Sequence, residues 1–484
     1  MAKTPIGTHA VVLGASIAGL LTARVLAESY TRVTVIERDE LPLDMDHRRG
    51  VPQGLHLHGL HAGGRQVLDE LFPGFTEQVW QAGAEVGDTL SAIRWLLSGQ
   101  RLRRADIGLP GLAASRPFLE GQVRQRVRAL PSVRFLENCD VVGLVTDIGQ
   151  RRITGVRIEQ RHDDHTEEMM AADLIVDATG RGSRTPVWLE QLGYPRPEAN
   201  RMEIGIGYAS RCYRLRPGAL GEDKGIFTTA TPSNPRAAYL FAQEGGRHIL
   251  TVSGILGDYP PLDPDAFEAF AASACFSDVA EALVGATPLD DPVAFRFPTS
   301  VRYRYERLRR FPIGLLVIGD AVCSFNPIYG QGMSAAALEA VALRDLLRGG
   351  SLPPTRKYFR QIAKVVGIPW GIAVGADLAF PDVPGKRTVR QTHRQDTDGQ
   401  CLPASVARRG GYRRLASRRL YPSAGHGRPA GGPAAAGSGA PGAVGPPAGR
   451  CTHASDRTGL GRPAAGAGRA IPGRVNRPPA RSLR

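Results

Sequence analysis

Three glycine-bearing clusters in this chain have the residue types and spacing to hold a phosphate-linked cofactor. The first is Gly14-x-Ser16-x-x-Gly19, with Glu37 standing 23 residues after Gly14. Glycine at the first position permits a tight turn after a strand. A small residue at the third lets backbone N–H groups close on a pyrophosphate, and glycine at the sixth lets the next helix pack against the strand. The helix N-terminus then faces the phosphate charge, and Glu37 can accept hydrogen bonds from ribose hydroxyls. Ser16 replaces the usual glycine at some cost in backbone freedom. This cluster alone does not say which dinucleotide is held.

The second cluster is Asp177-Ala-Thr-Gly180-Arg-Gly-Ser183-Arg184, and the third is Gly319-Asp320-Ala321 followed by Asn326-Pro327-Ile-Tyr329-Gly330-Gln-Gly332-Met333. Both directly follow apolar runs. An aspartate at a strand's carboxyl end can accept from sugar or ribityl hydroxyls, and it can also serve simply as a helix cap. Glycines before a helix let backbone N–H groups lie against a flat ring. Without its context, the second cluster is an ordinary glycine-containing turn.

The elements around these clusters read as α/β. Residues 9–13 (HAVVL), 32–37 (RVTVIE), 172–177 (ADLIVD) and 314–318 (GLLVI) are short apolar runs, as parallel strands buried on both faces require. Helical spacing follows at 20–29, 118–130 and 333–347, the last stopped by Gly349-Gly350. Residues 133–160 read as a strand pair. Alternating segments at 202–213, 237–241 and 248–255 predict an antiparallel sheet, with a helix at 264–274. Residues 355–380 read as helical, interrupted at Pro369.

This pattern gives an α/β chain with a Rossmann-like dinucleotide-binding domain in three parts, residues 1–80, 111–195 and 311–350. An antiparallel-sheet substrate domain comes from 81–110 and 196–310, and a helical segment covers 351–390. Residues 391–484 contain 17 Gly, 17 Ala, 11 Pro and 16 Arg, with no Phe, Trp, Met, Glu or Lys. Such text cannot bury enough apolar surface to offset its ordering entropy and is expected to be disordered.

The formal charge of +15 suggests a nucleic-acid binder. However, residues 391–484 hold 16 Arg against 3 acids, while residues 1–390 hold 45 basic and 43 acidic residues. The basic character therefore belongs to the tail, which has only Tyr412 and Tyr421 to stack bases. No specific nucleic-acid partner is expected. The six cysteines form no Cys-x-x-Cys pair and no zinc-ligand spacing, so reduced thiols, a cytoplasmic location and no metal are expected. No apolar run reaches the roughly 18 residues of a membrane span.

The ordered triple resembles the flavoprotein monooxygenases of the p-hydroxybenzoate hydroxylase fold, over roughly residues 8–390. The resemblance implies FAD as cofactor. Gly14, Ser16 and Gly19 would hold its pyrophosphate, and Glu37, with Arg38 beside it, its adenosine ribose. Arg116, in Ser115-Arg116-Pro-Phe-Leu-Glu, looks like the family arginine that touches the cofactor. Asp320 would bind the ribityl chain, and Pro327, Gly330, Gly332 and Met333 would line the isoalloxazine. A narrower stretch, Arg49-Gly50-Val51-Pro52-Gln53-Gly54-Leu-His56-Leu-His58, is similar to the actinobacterial flavin epoxidases of polyether biosynthesis. It points to Arg49, His56 and His58 as catalytic candidates. Packing of the two histidines in an interdomain connector explains them equally well.

The implied activity is transfer of one oxygen atom from O2 through a flavin C4a-hydroperoxide. The implied substrate is a small apolar molecule, such as a polyketide or terpenoid alkene or ring, which is epoxidised or hydroxylated. Only one dinucleotide fingerprint is present, so electrons come from transiently docked NAD(P)H or from a separate flavin reductase. Rivals are a flavin-dependent reductase or halogenase of the same fold and, in another class, nucleic-acid binding through the tail. Ile368-Pro369-Trp370 does not match the Trp-x-Trp-x-Ile-Pro stretch of halogenases. The change of text near residue 390 is also what a GC-rich gene yields in a shifted frame. A neighbouring frame of the DNA is then expected to encode a helix-rich ending.

Overall fold

The computed structural model describes residues 4–97, 99–161, 166–274 and 276–384. The expectations for 391–484, disorder and a shifted frame, lie outside the described residues.

Five short strands form a parallel sheet in the order Leu315–Val317, Leu174–Asp177, Gly7–Leu13, Tyr30–Ile36 and Val133–Leu136. Successive side chains of a strand point to opposite faces, and both faces here are covered. Ala10 and Val12 enter the core shared with helices Ile17–Leu26, Arg116–Arg128 and Gly332–Leu347. Val11 and Leu13 pack under an antiparallel trio, Cys139–Thr146, Ile153–Gln160 and Glu167–Ala171. Burial on both sides is why these strands read as unbroken apolar runs.

The expected strand pair at 133–160 is three strands. Val133–Leu136 is the edge of the parallel sheet, and Asn138, in the left-handed region at φ 55°, turns the chain into the antiparallel trio. Asparagine tolerates that conformation, so only two residues, Glu137 and Asn138, separate strands of different sheets.

The second layer is a mostly antiparallel sheet built on Ala199–Arg214. On one side of that strand lie Val293–Tyr303 and Cys323–Ser324. On the other lie His248–Gly254, Arg236–Ala242, Gly225–Thr228, Ile93–Leu97 and Gln100–Arg101. Its register with Val293–Tyr303 shifts between Glu203 and Ile206, at Gly205 with φ 55°, as a β-bulge requires. Ala209, Tyr213, Leu250 and Val252 pack under helices Pro264–Ala272 and Asp278–Leu283. The opposite face carries Tyr239, Phe241 and Ile249, packed with Leu57 and Ile328.

The last helix among the described residues, Thr355–Asp377, runs through Pro369 without a break, contrary to the interruption expected there. Val366, Pro369, Trp370 and Ala373 are all buried. That packing holds the helix across the one N–H that proline removes. Its Tyr358 hydroxyl donates to the carbonyl of Val317 in the parallel sheet at 3.0 Å.

Candidate cofactor and substrate site

The parallel sheet brings the three glycine clusters together. Leu13, Ile36, Asp177 and Val317 end neighbouring strands on one edge, and each cluster is the turn that leaves that edge. Gly14 has φ 96°, and a Cβ there would stand 2.8 Å from the carbonyl oxygen of Ala178. A Cβ on Gly319 would meet Ala18 at 2.8 Å, and one on Gly180 would meet Asp320 at 3.8 Å. The turns therefore abut, which is the placement expected for ligands at the carboxyl ends of strands in open α/β sheets.

Asp177 is consumed by its own turn. Fully buried, it accepts from the N–H and hydroxyl of Thr179 and from the hydroxyls of Ser183 and Thr185. Asp320 is the open one. Its side chain is accessible to solvent, yet desolvation by the surrounding protein raises its carboxyl above the usual range, against the pull of Arg116 and Arg181. Behind it, buried Glu339 accepts from the N–H of Gly319 at 3.0 Å and fixes the turn. Desolvation pushes the Glu339 carboxyl up to about 8.

At the first cluster, Glu37 accepts from the N–H groups of Ala15 at 2.7 Å and Arg38 at 2.9 Å. Beside it lies a buried ionic network. Helix Arg116–Arg128 places Arg116 and Glu120 one turn apart on the same face. Arg116 donates to Glu120 at 3.1 Å and to the Ser16 hydroxyl at 2.7 Å, and Ser16 donates to Glu120 at 3.0 Å. Arg48 donates to Glu120 at 3.1 Å and to Asp39 at 3.0 Å, and stands 3.3 Å from Glu37. Burial opposes the Arg48 charge, but Glu120, Glu37 and Asp39 more than offset it and raise its pKa. Burial likewise opposes the Glu120 charge, and Arg116 and Arg48 outweigh it, holding that carboxyl below its ordinary value.

The sequence pointed to Arg49, but Arg49 is exposed while its neighbour Arg48 is 8% exposed and at the centre of the network. Arg38 is also exposed, with its guanidinium 3.9 Å from Asp39. Glu120 was missed, although its i, i+4 spacing from Arg116 was visible.

The third cluster continues as the loop from Asn326 to Gly332. Pro327 and Gly332 are exposed, and Gly330 turns the loop at φ 63°. Met333, expected with these residues to line the ring, is buried instead. Its side chain is buried against Ile17, Leu21, Leu60, Leu68, Leu119 and Ala337, because those apolar neighbours lie on the core side of the helix it begins. Asp377 anchors the loop from behind, accepting from Asn326 Nδ2 at 2.9 Å and the Tyr329 hydroxyl at 3.1 Å. Burial pushes the Asp377 carboxyl up to about 6. The His61 ring donates to the carbonyl of Tyr329 at 3.0 Å from the front.

His56 lies between the layers, buried, with Tyr208 and Phe295 ring centroids at 4.7 and 5.7 Å. The N–H of Leu57 donates to Thr251 Oγ1 at 3.2 Å. Thr251 Oγ1 and Ser210 Oγ are 2.6 Å apart, and Ser210 Oγ is 2.9 Å from His56 Nδ1. Every hydroxyl proton in this chain finds an acceptor when Thr251 donates to Ser210 and Ser210 to Nδ1. The imidazole proton then sits on Nε2, a buried atom with no hydrogen-bond partner. Desolvation brings the His56 pKa down to about 4, so the ring is neutral near pH 7. His58 donates to the carbonyl of His56 at 3.0 Å, and desolvation, with Arg116 nearby, brings it down to about 3. Neither histidine is a ready proton acceptor at neutral pH. Arg181 lies over the Phe297 ring at 4.3 Å.

A parallel sheet with such an edge, joined to a mostly antiparallel sheet, defines the FAD-binding α/β fold of the p-hydroxybenzoate hydroxylase type, and solved structures share it. A probable FAD-dependent monooxygenase, PqsL from Pseudomonas aeruginosa, superposes with a TM-score of 0.57 at 18% identity, over 80% of this chain and 99% of that one. The flavin-dependent brominase Bmp2 gives 0.59 at 15%, over 82% and 95%. 2-Methyl-3-hydroxypyridine-5-carboxylic acid oxygenase gives 0.55 at 18%, over 78% and 93%. No family model matches the chain. The chain belongs to the family of Protein Rv3254 of Mycobacterium tuberculosis, with which it is 40% identical over 354 residues, 70% of this chain and 73% of that protein.

Proposed function

We propose that this protein is an FAD-dependent monooxygenase that places one oxygen atom on a small apolar substrate. The observation that carries the reading is the meeting of three glycine turns, two buried arginines and an open aspartate at one sheet edge. The residues fit the cofactor. The N-terminus of helix Ile17–Leu26 has no side-chain cap, leaving its N–H groups for a diphosphate. Arg116 and Arg48 supply positive charge there, Glu37 an acceptor for ribose hydroxyls, and Asp320 an acceptor for the ribityl chain. Helix Gly332–Leu347 also begins without a side-chain cap, so its N–H groups can face the ring. Bound there, FAD would supply the oxygen activation and transfer.

The protein's own contribution is positioning and exclusion of water. Tyr239, Phe241, Leu57 and Ile328 make the facing layer apolar, which suits a polyketide or terpenoid alkene or ring, epoxidised or hydroxylated as in polyether-type secondary metabolism. NAD(P)H or a separate flavin reductase supplies the electrons. The test is reconstitution with FAD, NADPH or a flavin reductase, and a polyene substrate under 18O2. One labelled oxygen in the product is expected. Reduction of the double bond without oxygen uptake would instead identify a reductase.

A further inference from the structure

Three carboxylates and two guanidinium groups crowd the edge where the diphosphate would lie. Arg48 is shared by Glu120, Asp39 and Glu37, and Arg116 pairs with Glu120. Glu120 is the common partner. It is 3% exposed, and both its oxygens are taken: Oε1 by Arg48, Oε2 by Arg116 and the Ser16 hydroxyl. Arg124, one turn along the same helix, and His58, from the connector, also face it electrostatically. His58 is neutral, and Arg124 is itself bound to the carbonyls of Pro42 and Asp44. A buried carboxylate that shares both its arginines with an incoming dianion is left under-compensated, and burial then favours its protonated form.

We propose that Glu120 is a resident counter-anion for the cofactor clamp: it holds Arg48 and Arg116 in the cofactor-free protein and takes up one proton when a diphosphate claims them. The proposal rests on the FAD reading and deepens it. Protonated Glu120 keeps Oε2 or Oε1 as an acceptor and offers a hydroxyl donor, so the Ser16 and arginine contacts rearrange rather than vanish. The proton comes from solvent, and no bond other than hydrogen bonds is made or broken.

Linkage then fixes the pH dependence. A site that takes up one proton on binding weakens tenfold in affinity for each unit of rising pH, between the pKa of Glu120 without and with the ligand. The experiment titrates FAD into cofactor-free protein across pH 5 to 9 by flavin fluorescence. Calorimetry in two buffers of different ionisation heat counts the protons absorbed. The expected result is uptake approaching one proton within that range and a Kd that rises with pH. Glu120→Gln should abolish both and bind FAD at least tenfold more tightly than the parent at the alkaline end. Asp39→Asn should keep the uptake.

FAD binding with no proton uptake overturns the proposal and leaves the cofactor reading standing, as does uptake that survives Glu120→Gln or disappears in Asp39→Asn. Failure of the folded protein to bind FAD at any pH overturns both. If the Gln variant does not fold, absence of proton uptake on the unsubstituted chain, or its loss in Asp39→Asn, still overturns the proposal.

Discussion

Glycines at this site do two different jobs, and alanine substitution separates them. A Cβ on Gly19 would stand 1.8 Å from the carbonyl oxygen of Gly14 and 2.9 Å from its carbon. The first contact is about 1.6 Å short of ordinary van der Waals distance at 3.4 Å. No rotamer relieves a clash between backbone and Cβ. The helix Ile17–Leu26 must move away from its turn, and it is wedged between the sheet and helix Gly332–Leu347. Overpacking costs about 1–3 kcal/mol, occasionally more, and an unrelieved backbone contact belongs at the upper end. The alanine gain in helix propensity, about 1 kcal/mol, does not offset it.

Gly19→Ala should therefore lower the melting temperature of the cofactor-free protein by on the order of 5 °C. At Gly332 a Cβ meets nothing within 4 Å and φ is ordinary, so Gly332→Ala should melt within about 1 °C of the parent. That open space is where the cofactor ring is proposed to lie, so the same variant should bind FAD at least tenfold more weakly. Thermal melts by circular dichroism and a fluorescence titration with FAD read both effects. A Gly19→Ala protein as stable as the parent would refute the packing argument. A Gly332→Ala protein with undiminished FAD affinity would refute the role given to the 326–333 loop.

Arg48→Met should weaken FAD binding about 10- to 100-fold, the worth of a charge-assisted contact, while Arg49→Met, at an exposed position, should change the Kd less than twofold. Glu339, ordinary value 4.5 and raised to about 8 in the fold, contributes stability that is full below pH 4.5 and is lost as pH rises through 8. Urea midpoints should fall along that window, by at most about 1.4 kcal/mol per pH unit for one group. Glu339→Gln, which keeps an acceptor for Gly319, should flatten the fall. Asp377→Ala should cost about 1–3 kcal/mol for each of the two donors it strands. Asp377→Asn should remain folded and lose the decline in stability between pH 4 and 6 that a carboxyl raised to about 6 imposes.

The parts of this site that were legible in the sequence are those where backbone geometry dictates residue type. Gly14 and Gly19 stand where a side chain would strike the chain itself, and the unbroken runs at 10–13 and 174–176 record burial on two faces. What escaped was side-chain orientation and distance along the chain. Nothing in Arg48-Arg49 says which of the two turns inward, since the connector has no period to read. Met333 stands in the first turn of its helix, and its apolar neighbours come from three other helices and from Leu60. Asp377 lies 51 residues beyond the asparagine it holds, so only the folded chain joins them. Glu120 was accessible in principle, because an acid four residues after an arginine on a helix shares its face.

The central claim is that this edge binds FAD, and the direct measurement is a titration of the purified, folded chain of 484 residues with FAD, followed by absorption and fluorescence after removal of free ligand. The account predicts one FAD per chain with flavin bands perturbed from those of the free cofactor. A folded protein that retains no flavin at saturating FAD would contradict it.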